Sequence, residues 1–463
     1  MRRIAAIAAA KAAAALSQRL KMGGGTALPG LIAERIDPNI VPEMARRLGR
    51  GSVIVTGTNG KTTTARLLRG IVRAAGLRPV ANRAGSNLMR GIAAALAQAA
   101  GLDGGFAGAK LRLGLFEVDE ATVPEAARAL RPRLVLFTNL FRDQLDRYGE
   151  VEHVAAVWRD AVETLGDSAT VVLNADDPSV AALARVATGR VLFYGVEDTS
   201  RASEGLEHAA DARWCSSCGS ELVYSVVFYG HLGHWHCGAN CGIVRRSPLV
   251  VATRIEMEPE GTRLMITMPG GEVSARLPLT GMYNAYNALA AVAAAVALGI
   301  EPEAIERGLG SFKAAFGRQE RLTVGGRRVQ VILAKNPAGL NEVLRTIIAD
   351  GEKKDVALFL NDGIADGRDV SWIWDVDFDL LAGKVRSLTV SGNRAWDMAL
   401  RLKYAGLETL TEVEEDTATA LRRALRATPE GGNLYVVPTY TAMLQVRGML
   451  ARWARQPAFW ETA

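Results

Sequence analysis

The chain has 463 residues, which is enough for about three domains, and 49% of them are hydrophobic, so sizeable buried cores can form. The formal net charge is +6, which is mild for this length, and no long run of Lys and Arg occurs, so the composition does not support a nucleic-acid-binding protein. Outside the N-terminal region no uncharged apolar run reaches about 18 residues, so we expect no membrane-spanning segment.

The first twenty residues resemble a secretion signal in composition but not in pattern. Two arginines precede an alanine-rich stretch, yet Lys11 interrupts it and no evident cleavage site follows. We therefore predict a helix over residues 4–20, a glycine-rich connector over 22–31 and a short helix over 42–48. Residues 1–50 are expected to form a helical segment and connector, and the default location is cytoplasmic.

A phosphate-binding loop is predicted between a buried strand and a helix near residue 60. The apolar run 53–55 leads into Thr56-Gly-Thr-Asn-Gly-Lys-Thr-Thr63, and a helix follows over 65–75. Backbone N–H groups at the start of that helix would face phosphates, Lys61 would add a positive charge, and the Thr62 hydroxyl would reach a magnesium ion. The strict GxxxxGK[ST] pattern lacks its first glycine here, so a tight turn with an exposed lysine is the alternative. The residues expected to contact the nucleotide are Thr58, Asn59, Gly60, Lys61, Thr62 and Thr63.

Polar residues follow several apolar strands in this region. The strands and the residues beside their ends are 113–118 with Glu117, 134–138 with Asn139, and 169–173 with Asn174. Strands separated by helices indicate a mostly parallel sheet, and ligands bind at the carboxyl ends of such strands. Helix capping or solvation is the alternative role for acids such as Glu117, Asp143 and Asp176.

All four cysteines lie in one stretch, within a predicted insertion over residues 205–246. Two closely spaced pairs, each followed by glycine, can present four thiolates tetrahedrally, which is typical of a zinc ribbon with a structural Zn²⁺ ion. The expected zinc ligands are Cys215, Cys218, Cys237 and Cys241. One of the histidines at 231, 234 and 236 could replace a cysteine, and four reduced cysteines in a loop are the alternative. Without a basic patch, nucleic-acid binding by the ribbon is not favoured.

The rest of the chain predicts further strands, two helices and a separate C-terminal domain. Strands are expected within 249–280, followed by Gly281 to Asn287 and an alanine-rich helix. An α/β alternation then restarts, which indicates a doubly wound domain over 322–463. Within it, residues 361–379 contain six aspartates and two tryptophans. A solvated acidic loop is one interpretation, and a surface packed against a protein partner is the other.

Together these motifs resemble the Mur ligase superfamily, the ATP-dependent amide-forming enzymes of peptidoglycan synthesis. The resemblance implies an α/β fold with a P-loop ATP-binding domain over 51–315. It implies that Thr62 and Glu117 hold Mg²⁺. It also implies ATP contacts, beyond the loop itself, from Asn174, Asn284 and Arg318. Gln144 and Tyr283 stand where most of these enzymes carry histidines. The histidine at the position of Gln144 is a metal ligand in those enzymes.

The insertion and the aspartate-rich stretch narrow the resemblance to the MurT family, the synthetase subunits of lipid II isoglutaminyl synthase. This implies ATP-dependent amidation of the α-carboxylate of D-glutamate in the lipid II stem peptide to D-isoglutamine, through an acyl phosphate. It implies a heterodimer with a GatD-type glutaminase subunit that supplies ammonia. Asp375 is the residue expected to complete the glutaminase Cys-His pair, with Asp362, Asp366 and Asp369 as alternatives. The lipid-linked substrate leaves peripheral contact with the inner face of the membrane open.

The cysteine count independently favours an external source of ammonia. A class I glutaminase needs a cysteine activated by a histidine, and a zinc site that uses all four cysteines leaves none. Two other functions stay open. An amino-acid-adding Mur ligase or a folylpolyglutamate synthase-like ligase would use an amino acid as its nitrogen donor. A non-catalytic ATP-binding scaffold would bind nucleotide without substrate-dependent turnover.

Overall fold

The computed structural model describes residues 1–19, 27–82, 85–143, 150–203, 205–208, 210–258, 261–312 and 318–454. Its N-terminal region contains three helices, α1 (Arg2–Arg19), α2 (Ala27–Ile36) and α3 (Ile40–Ala45). The prediction of a connector over 22–31 is wrong for residues 27–31, because α2 begins at Ala27. Residues 22–26 lie outside the described residues. Gly30 lies inside α2, where a Cβ atom would be 1.7 Å from the Arg90 carbonyl oxygen. This glycine therefore permits close helix packing and does not form a turn.

A nine-stranded sheet forms the central region. Its strands are β1 (Ser52–Thr56), β2 (Arg78–Ala81), β3 (Arg112–Glu117), β4 (Leu134–Phe137), β5 (Thr170–Asn174), β6 (Arg190–Val196), β9 (Val250–Glu258), β10 (Gly261–Met268) and β11 (Gly271–Leu277). The order is β11-β10-β9-β6-β5-β4-β1-β3-β2, and all neighbours from β9 to β2 pair in parallel. The β9-β10-β11 end is antiparallel. The predicted mostly parallel sheet is confirmed.

Helices cover both faces of this sheet, as a parallel sheet that is buried on both sides requires. They are α4 (Lys61–Ala74), α5 (Met89–Ala99), α6 (Val123–Leu130), α7 (Val151–Glu163), α8 (Pro178–Ala181), α9 (Met282–Ala297) and α10 (Pro302–Gly310). The alanine-rich α9 packs with α4 on one face, where its small side chains are almost all buried. Trp158 of α7 is fully buried in the core on the other face.

The predicted insertion contains a two-stranded antiparallel hairpin formed by β7 (Leu222–Tyr229) and β8 (Leu232–Cys237). Cys215 and Cys237 are buried beside Leu222 and Trp235 in a small core that also includes Ala181 of the central region.

A second sheet forms the C-terminal region, with β12 (Arg318–Val324), β13 (Arg327–Ile332), β14 (Lys354–Phe359), β15 (Val385–Ser391), β16 (Thr411–Val413) and β17 (Asn433–Pro438). The order is β12-β13-β17-β14-β15-β16, and every pair except the β12-β13 hairpin is parallel. Its helices are α11 (Pro337–Ile348), α12 (Ala395–Tyr404), α13 (Thr417–Ala427) and α14 (Tyr440–Trp453). The two sheets, with helices on both faces, confirm the predicted α/β class. The domain limits at 1–50, 51–315 and 322–463 stay predictions.

The aspartate-rich stretch after β14 is folded onto the C-terminal domain. It contains two short 3-10 helices, Ser371–Asp375 and Phe378–Leu381. Ile373, Phe378 and Leu381 are fully buried in the domain core. The other 3-10 helices are Ala109–Leu111, Glu120–Thr122, Ala182–Arg185, Thr199–Arg201 and Glu408–Leu410. Among the helices of the described residues, none is long and apolar enough to cross a membrane.

Candidate active site

The loop between β1 and α4 has a backbone conformation that depends on its two glycines. Gly57 has φ +138° and Gly60 has φ +85°, a region that other residues adopt only with strain. A Cβ atom at Gly60 would also lie 1.8 Å from Oδ1 of Asn287. Gly60 precedes the first residue of α4, so the N–H groups of that helix start are directed toward the loop. The predicted phosphate-binding geometry is thus available.

Lys61 is buried and paired, not exposed. Its Nζ atom donates to the Gly57 carbonyl oxygen at 2.5 Å and to Glu120 Oε1 at 2.7 Å. Burial raises the pKa of Glu120 above its ordinary value, and the Lys61 ammonium opposes this rise. Glu120 was not among the predicted site residues, although its position three residues after the end of β3 was a usable signal.

Thr62 and Glu117 form the candidate magnesium site. The Thr62 hydroxyl donates to Glu117 Oε1 at 2.8 Å, and both residues are buried. The backbone of Glu117 is held in turn by Asn82, whose amide exchanges two hydrogen bonds with it at 2.8 and 3.0 Å. Oxygen donors beside a phosphate loop suit Mg²⁺, so the residues present fit this ion. Metal binding itself stays a prediction.

The segment that follows β4 supports the loop. Asn59 N–H donates to Asn139 Oδ1 at 2.8 Å, and the Thr138 hydroxyl donates to the Asn59 carbonyl oxygen at 2.9 Å. The Thr58 hydroxyl is buried and bonds the Phe141 backbone at 3.0 Å. These hydrogen bonds hold the loop backbone against the segment that follows β4.

Of the other residues predicted to contact ATP, some are buried and hydrogen-bonded within the protein, and the side chain of one lies outside the described residues. Asn174 is fully buried and donates to the Thr138 carbonyl oxygen at 3.1 Å. Asn284 is also buried, donates to the Thr280 carbonyl oxygen at 2.8 Å and accepts from Asn287 at 3.2 Å. Thr63 is buried at the start of α4. The side chain of Arg318 and the whole of Gln144 lie outside the described residues. The contacts of these residues with ATP stay predictions.

The C-terminal domain contacts the loop through two residues that were not among the predicted site residues. The amide groups of Asn59 and Asn336 exchange hydrogen bonds of 3.0 and 3.3 Å. Lys335, the preceding residue, forms an ion pair with Asp143. Both residues lie just beyond β13, and their sequence signal was weak because their partners are about 190 or more residues earlier.

Asp375 faces the central domain. Its carboxylate accepts from Arg142 Nη1 at 2.7 Å, and Arg142 Nε also donates to Asp211 at 2.5 Å. The Asp375 side chain keeps 39% of its surface exposed. The alternative aspartates have local partners, which are Arg394 for Asp362, Thr441 for Asp366 and the Ser371 backbone for Asp369. The role of Asp375 in a partner's active site stays a prediction.

The four cysteine thiols form one cluster. Sγ atoms of Cys215, Cys218, Cys237 and Cys241 all lie within 4.8 Å of one another. Cys218 and Cys237 are 3.3 Å apart and Cys215 and Cys241 are 3.6 Å apart, far too long for disulfide bonds. The histidine proposed as a substitute ligand at 231 is instead fully buried, 3.4 Å from Asp177 and packed on the Phe141 ring. The donor set fits Zn²⁺.

Comparison with known proteins agrees with this geometry. The family model described as Mur ligase middle domain matches residues 55–231 and 234–295, and the one described as MurT ligase C-terminal matches residues 333–443. The chain is 32% identical over 447 residues to lipid II isoglutaminyl synthase (glutamine-hydrolyzing) subunit MurT of Staphylococcus aureus strain COL, covering 96% of each chain. It is 31% identical over 435 residues to the protein of that name from Streptococcus pneumoniae strain R6, covering 93% of each.

A solved structure shares the fold. The pseudomurein peptide ligase type C of Methanothermus fervidus superposes with a TM-score of 0.65 at 24% identity, over 87% of this chain and 78% of that one. At this identity the likeness extends to the fold alone.

Proposed function

The chain belongs to the MurT family of Mur ligases and is an ATP-dependent ligase, and from this premise we propose that it amidates the α-carboxylate of D-glutamate in the lipid II stem peptide. The product is D-isoglutamine, and the nitrogen comes from ammonia released by a glutaminase subunit in a heterodimer. The names of the Staphylococcus and Streptococcus relatives, which specify a glutamine-hydrolyzing enzyme and a subunit of it, support this assignment.

The observation that carries the proposal is the contact between Thr62 and Glu117. It lies beside the buried Lys61, next to a loop whose backbone conformation requires glycine at two positions. A carboxylate does not react with ammonia at a useful rate, so ATP must first convert it to an acyl phosphate. Phosphoryl transfer depends mainly on in-line positioning and charge neutralisation. Lys61 provides one positive charge, and Arg318 is proposed to provide another. Mg²⁺ held by Thr62 and Glu117 would neutralise phosphate charge.

The source of ammonia follows from the cysteines. The chain has four, and all four belong to the thiol cluster that we propose as a structural zinc site. A cysteine that ligates zinc cannot act as the nucleophile of a glutaminase. Glutamine hydrolysis is therefore assigned to the GatD-type partner subunit.

An exposed aromatic stripe on the C-terminal domain is the proposed docking surface for this subunit. Trp396, Leu400 and Tyr404 follow one another at helical spacing on α12, and 65% of Trp396 and 73% of Tyr404 are exposed. Trp374 extends the stripe, with its ring 5.5 Å from that of Tyr404. Large exposed aromatic groups of this kind are frequent at protein interfaces and energetically dominant there. Asp375 follows Trp374 directly, which supports its proposed role in the partner's Cys-His pair.

The test is the dependence of phosphate release on the nitrogen donor. Purified chain with ATP, Mg²⁺ and lipid II is expected to release phosphate when ammonium chloride is added. Lys61→Met should lower this rate by at least about 100-fold, because a buried cation at the phosphate site is lost. Lys110→Met, which changes an exposed lysine of the central region, is the matched control and should leave the rate unchanged.

Two outcomes would overturn the proposal. Turnover supported by an amino acid and not by ammonium would indicate an amino-acid-adding ligase. ATP binding without any phosphate release that depends on lipid II would indicate a scaffold.

A further inference from the structure

Lys335 brings a positive charge from the C-terminal domain into the phosphate site. It lies just beyond the carboxyl end of β13, and its Nζ atom contacts Asp143 Oδ2 in the segment that follows β4. The Asp143 side chain is 6% exposed and the Lys335 side chain 32% exposed. The contact therefore joins the two sheets at their carboxyl ends, where the ligands of such sheets bind.

The neighbouring residue keeps Lys335 in place. Asn336 caps α11, with its Oδ1 accepting from the Gly339 N–H at 2.9 Å, and its amide pairs with Asn59 of the phosphate loop. The backbone that carries Lys335 is thus attached to both the helix behind it and the loop in front of it. Asn336 therefore fixes the position of the backbone from which the Lys335 side chain extends to Asp143.

Asp143 needs this charge. Its second oxygen, Oδ1, is buried and has no hydrogen-bond partner among the described residues, which exclude 144–149. A buried carboxylate without a compensating charge is strongly destabilising, so the site requires the Lys335 ammonium. A second acid lies close by, because the buried Glu120 feels the charges of both Asp143 and Lys335. Lys335 also opposes the rise in the pKa of Glu120.

Phosphoryl-transfer sites with several carboxylates can hold one divalent cation or two. In this chain the Thr62–Glu117 pair offers the place for one cation. Asp143 offers a place for a second, because its buried Oδ1 has no hydrogen-bond partner among the described residues, whereas Glu120 is already paired with Lys61. An ammonium already contacts that group. We propose that Lys335 is a positioning residue that supplies the charge at Asp143 in place of a second divalent cation, so that the nucleotide-bound protein holds one such ion. This inference rests on the ATP and Mg²⁺ site of the proposed function.

The experiment counts Mn²⁺ ions by electron paramagnetic resonance in the full chain with a non-hydrolysable ATP analogue. Wild type is expected to bind one tightly held Mn²⁺ per chain, and Lys335→Ala two, because Asp143 is then free for a metal ion. Lys335→Arg keeps the charge and should bind one. Lys353→Ala, an exposed lysine of the same domain, should also bind one. The double variant Lys335→Ala, Asp143→Asn should return to one, since the carboxylate is removed.

Turnover gives a second readout. Lys335→Ala should lose activity at low Mg²⁺ and regain part of it at high Mg²⁺, while the affinity for ATP changes little. A merely structural role would not produce rescue by a metal ion. Two Mn²⁺ ions in wild type, or one in a folded Lys335→Ala chain, would overturn the inference. Because the count needs no amidation, a chain that binds one Mn²⁺ but fails to amidate lipid II refutes the proposed reaction alone; a chain that binds no nucleotide refutes both.

Discussion

Arg142 connects two regions through its guanidinium group. It contacts Asp211 of the insertion at 2.5 Å and Asp375 of the C-terminal domain at 2.7 Å. These carboxylates raise the pKa of Arg142 above its ordinary value, against the effect of burial. The Arg142 guanidinium therefore orients the Asp375 carboxylate. A pre-oriented carboxylate is what a Cys-His pair requires from its third member.

At the residue scale the sharpest prediction concerns Asp375→Asn. Glutamine-dependent amidation should fall by about 100-fold or more, because the orienting carboxylate of the glutaminase is lost. Ammonium-dependent amidation should change only a few-fold, since the phosphate site keeps all its groups. Both rates are measured on the same complex with lipid II.

Arg142→Gln serves as the comparison for that variant. If Asp375→Asn and Arg142→Gln both abolish the two activities together, then Asp375 acts at the contact between the domains and not in the partner's site.

At the scale of elements, the insertion connects the phosphate site to the C-terminal domain. Its hairpin turn packs on Phe141 through His231, whose ring centroid is 4.4 Å from that of Phe141. Glu207, near the start of the insertion, pairs with Arg345 and accepts from Asn341 of α11 at 3.1 Å. Two of the four cysteines, Cys215 and Cys237, belong to the small core that includes Leu222 and Trp235 of this hairpin. Zinc is therefore expected to stabilise the position of both contacts.

Cys218→Ser tests this role. Metal analysis should find about one zinc ion per wild-type chain and less in the variant, because a structural site needs its four ligands. Turnover with ammonium should decrease while the secondary structure elsewhere is retained. The exposed Ser216→Ala lies between the same ligands and should behave like wild type. A fully folded and fully active protein without metal would exclude the zinc ribbon.

Helix α11 contains a buried acid that makes stability depend on pH. Burial raises the pKa of Glu342 to about 8, and neighbouring Glu207 adds to the rise while Arg345 opposes it. Between pH 4.5 and about 8 the folded protein keeps a proton that the unfolded chain releases. The free energy of unfolding therefore decreases as the pH rises through this window.

Glu342→Gln should remove that decrease, because the amide stays neutral at every pH. Its melting temperature should exceed that of wild type by about 3 °C or more above pH 8 and match it near pH 4.5. The exposed Glu352→Gln in the same domain is the control and should follow wild type throughout. Parallel pH profiles for wild type and Glu342→Gln would show that Glu342 titrates normally.

Seen across the whole molecule, local patterns predicted most of the fold, and contacts between distant segments were not predictable. The parallel sheet, the phosphate loop and the cysteine cluster each follow from short motifs with strong periodicity or spacing. The partly exposed four-residue strand β2 gave too weak a pattern and was missed. The start of helix α2 was predicted as part of a glycine-rich connector. The glycine at position 30 is needed for close packing against Arg90, which lies 60 residues away, and the local sequence does not show this.

The same distinction applies to the candidate site. Lys61, Thr62 and Glu117 were selected because each follows directly from a strand-end or loop motif. Lys335 and Asn336 were not, since their importance comes from the way in which the C-terminal domain closes on the loop. No pattern within a single chain segment specifies that arrangement.

The carboxyl ends of the two sheets face each other where the domains meet. Contacts from beyond β13 and from the 3-10 helix after β14 reach the segment after β4. An acyl phosphate formed between the domains would be protected from water by this closure until ammonia arrives. The amidation that we propose therefore requires a partner protein that releases ammonia from glutamine, unless ammonium is added in solution.

The most direct test of this requirement follows a nitrogen label. The chain, purified as a complex with its co-expressed glutaminase subunit, is given lipid II, ATP, Mg²⁺ and glutamine labelled with ¹⁵N at the amide. Mass spectrometry of the stem peptide should locate the label in the α-carboxamide of D-glutamate, and omission of the glutaminase should abolish labelling while unlabelled ammonium restores amidation. A stem peptide that gains no label in the complete complex, or that gains a whole amino acid, would contradict the account.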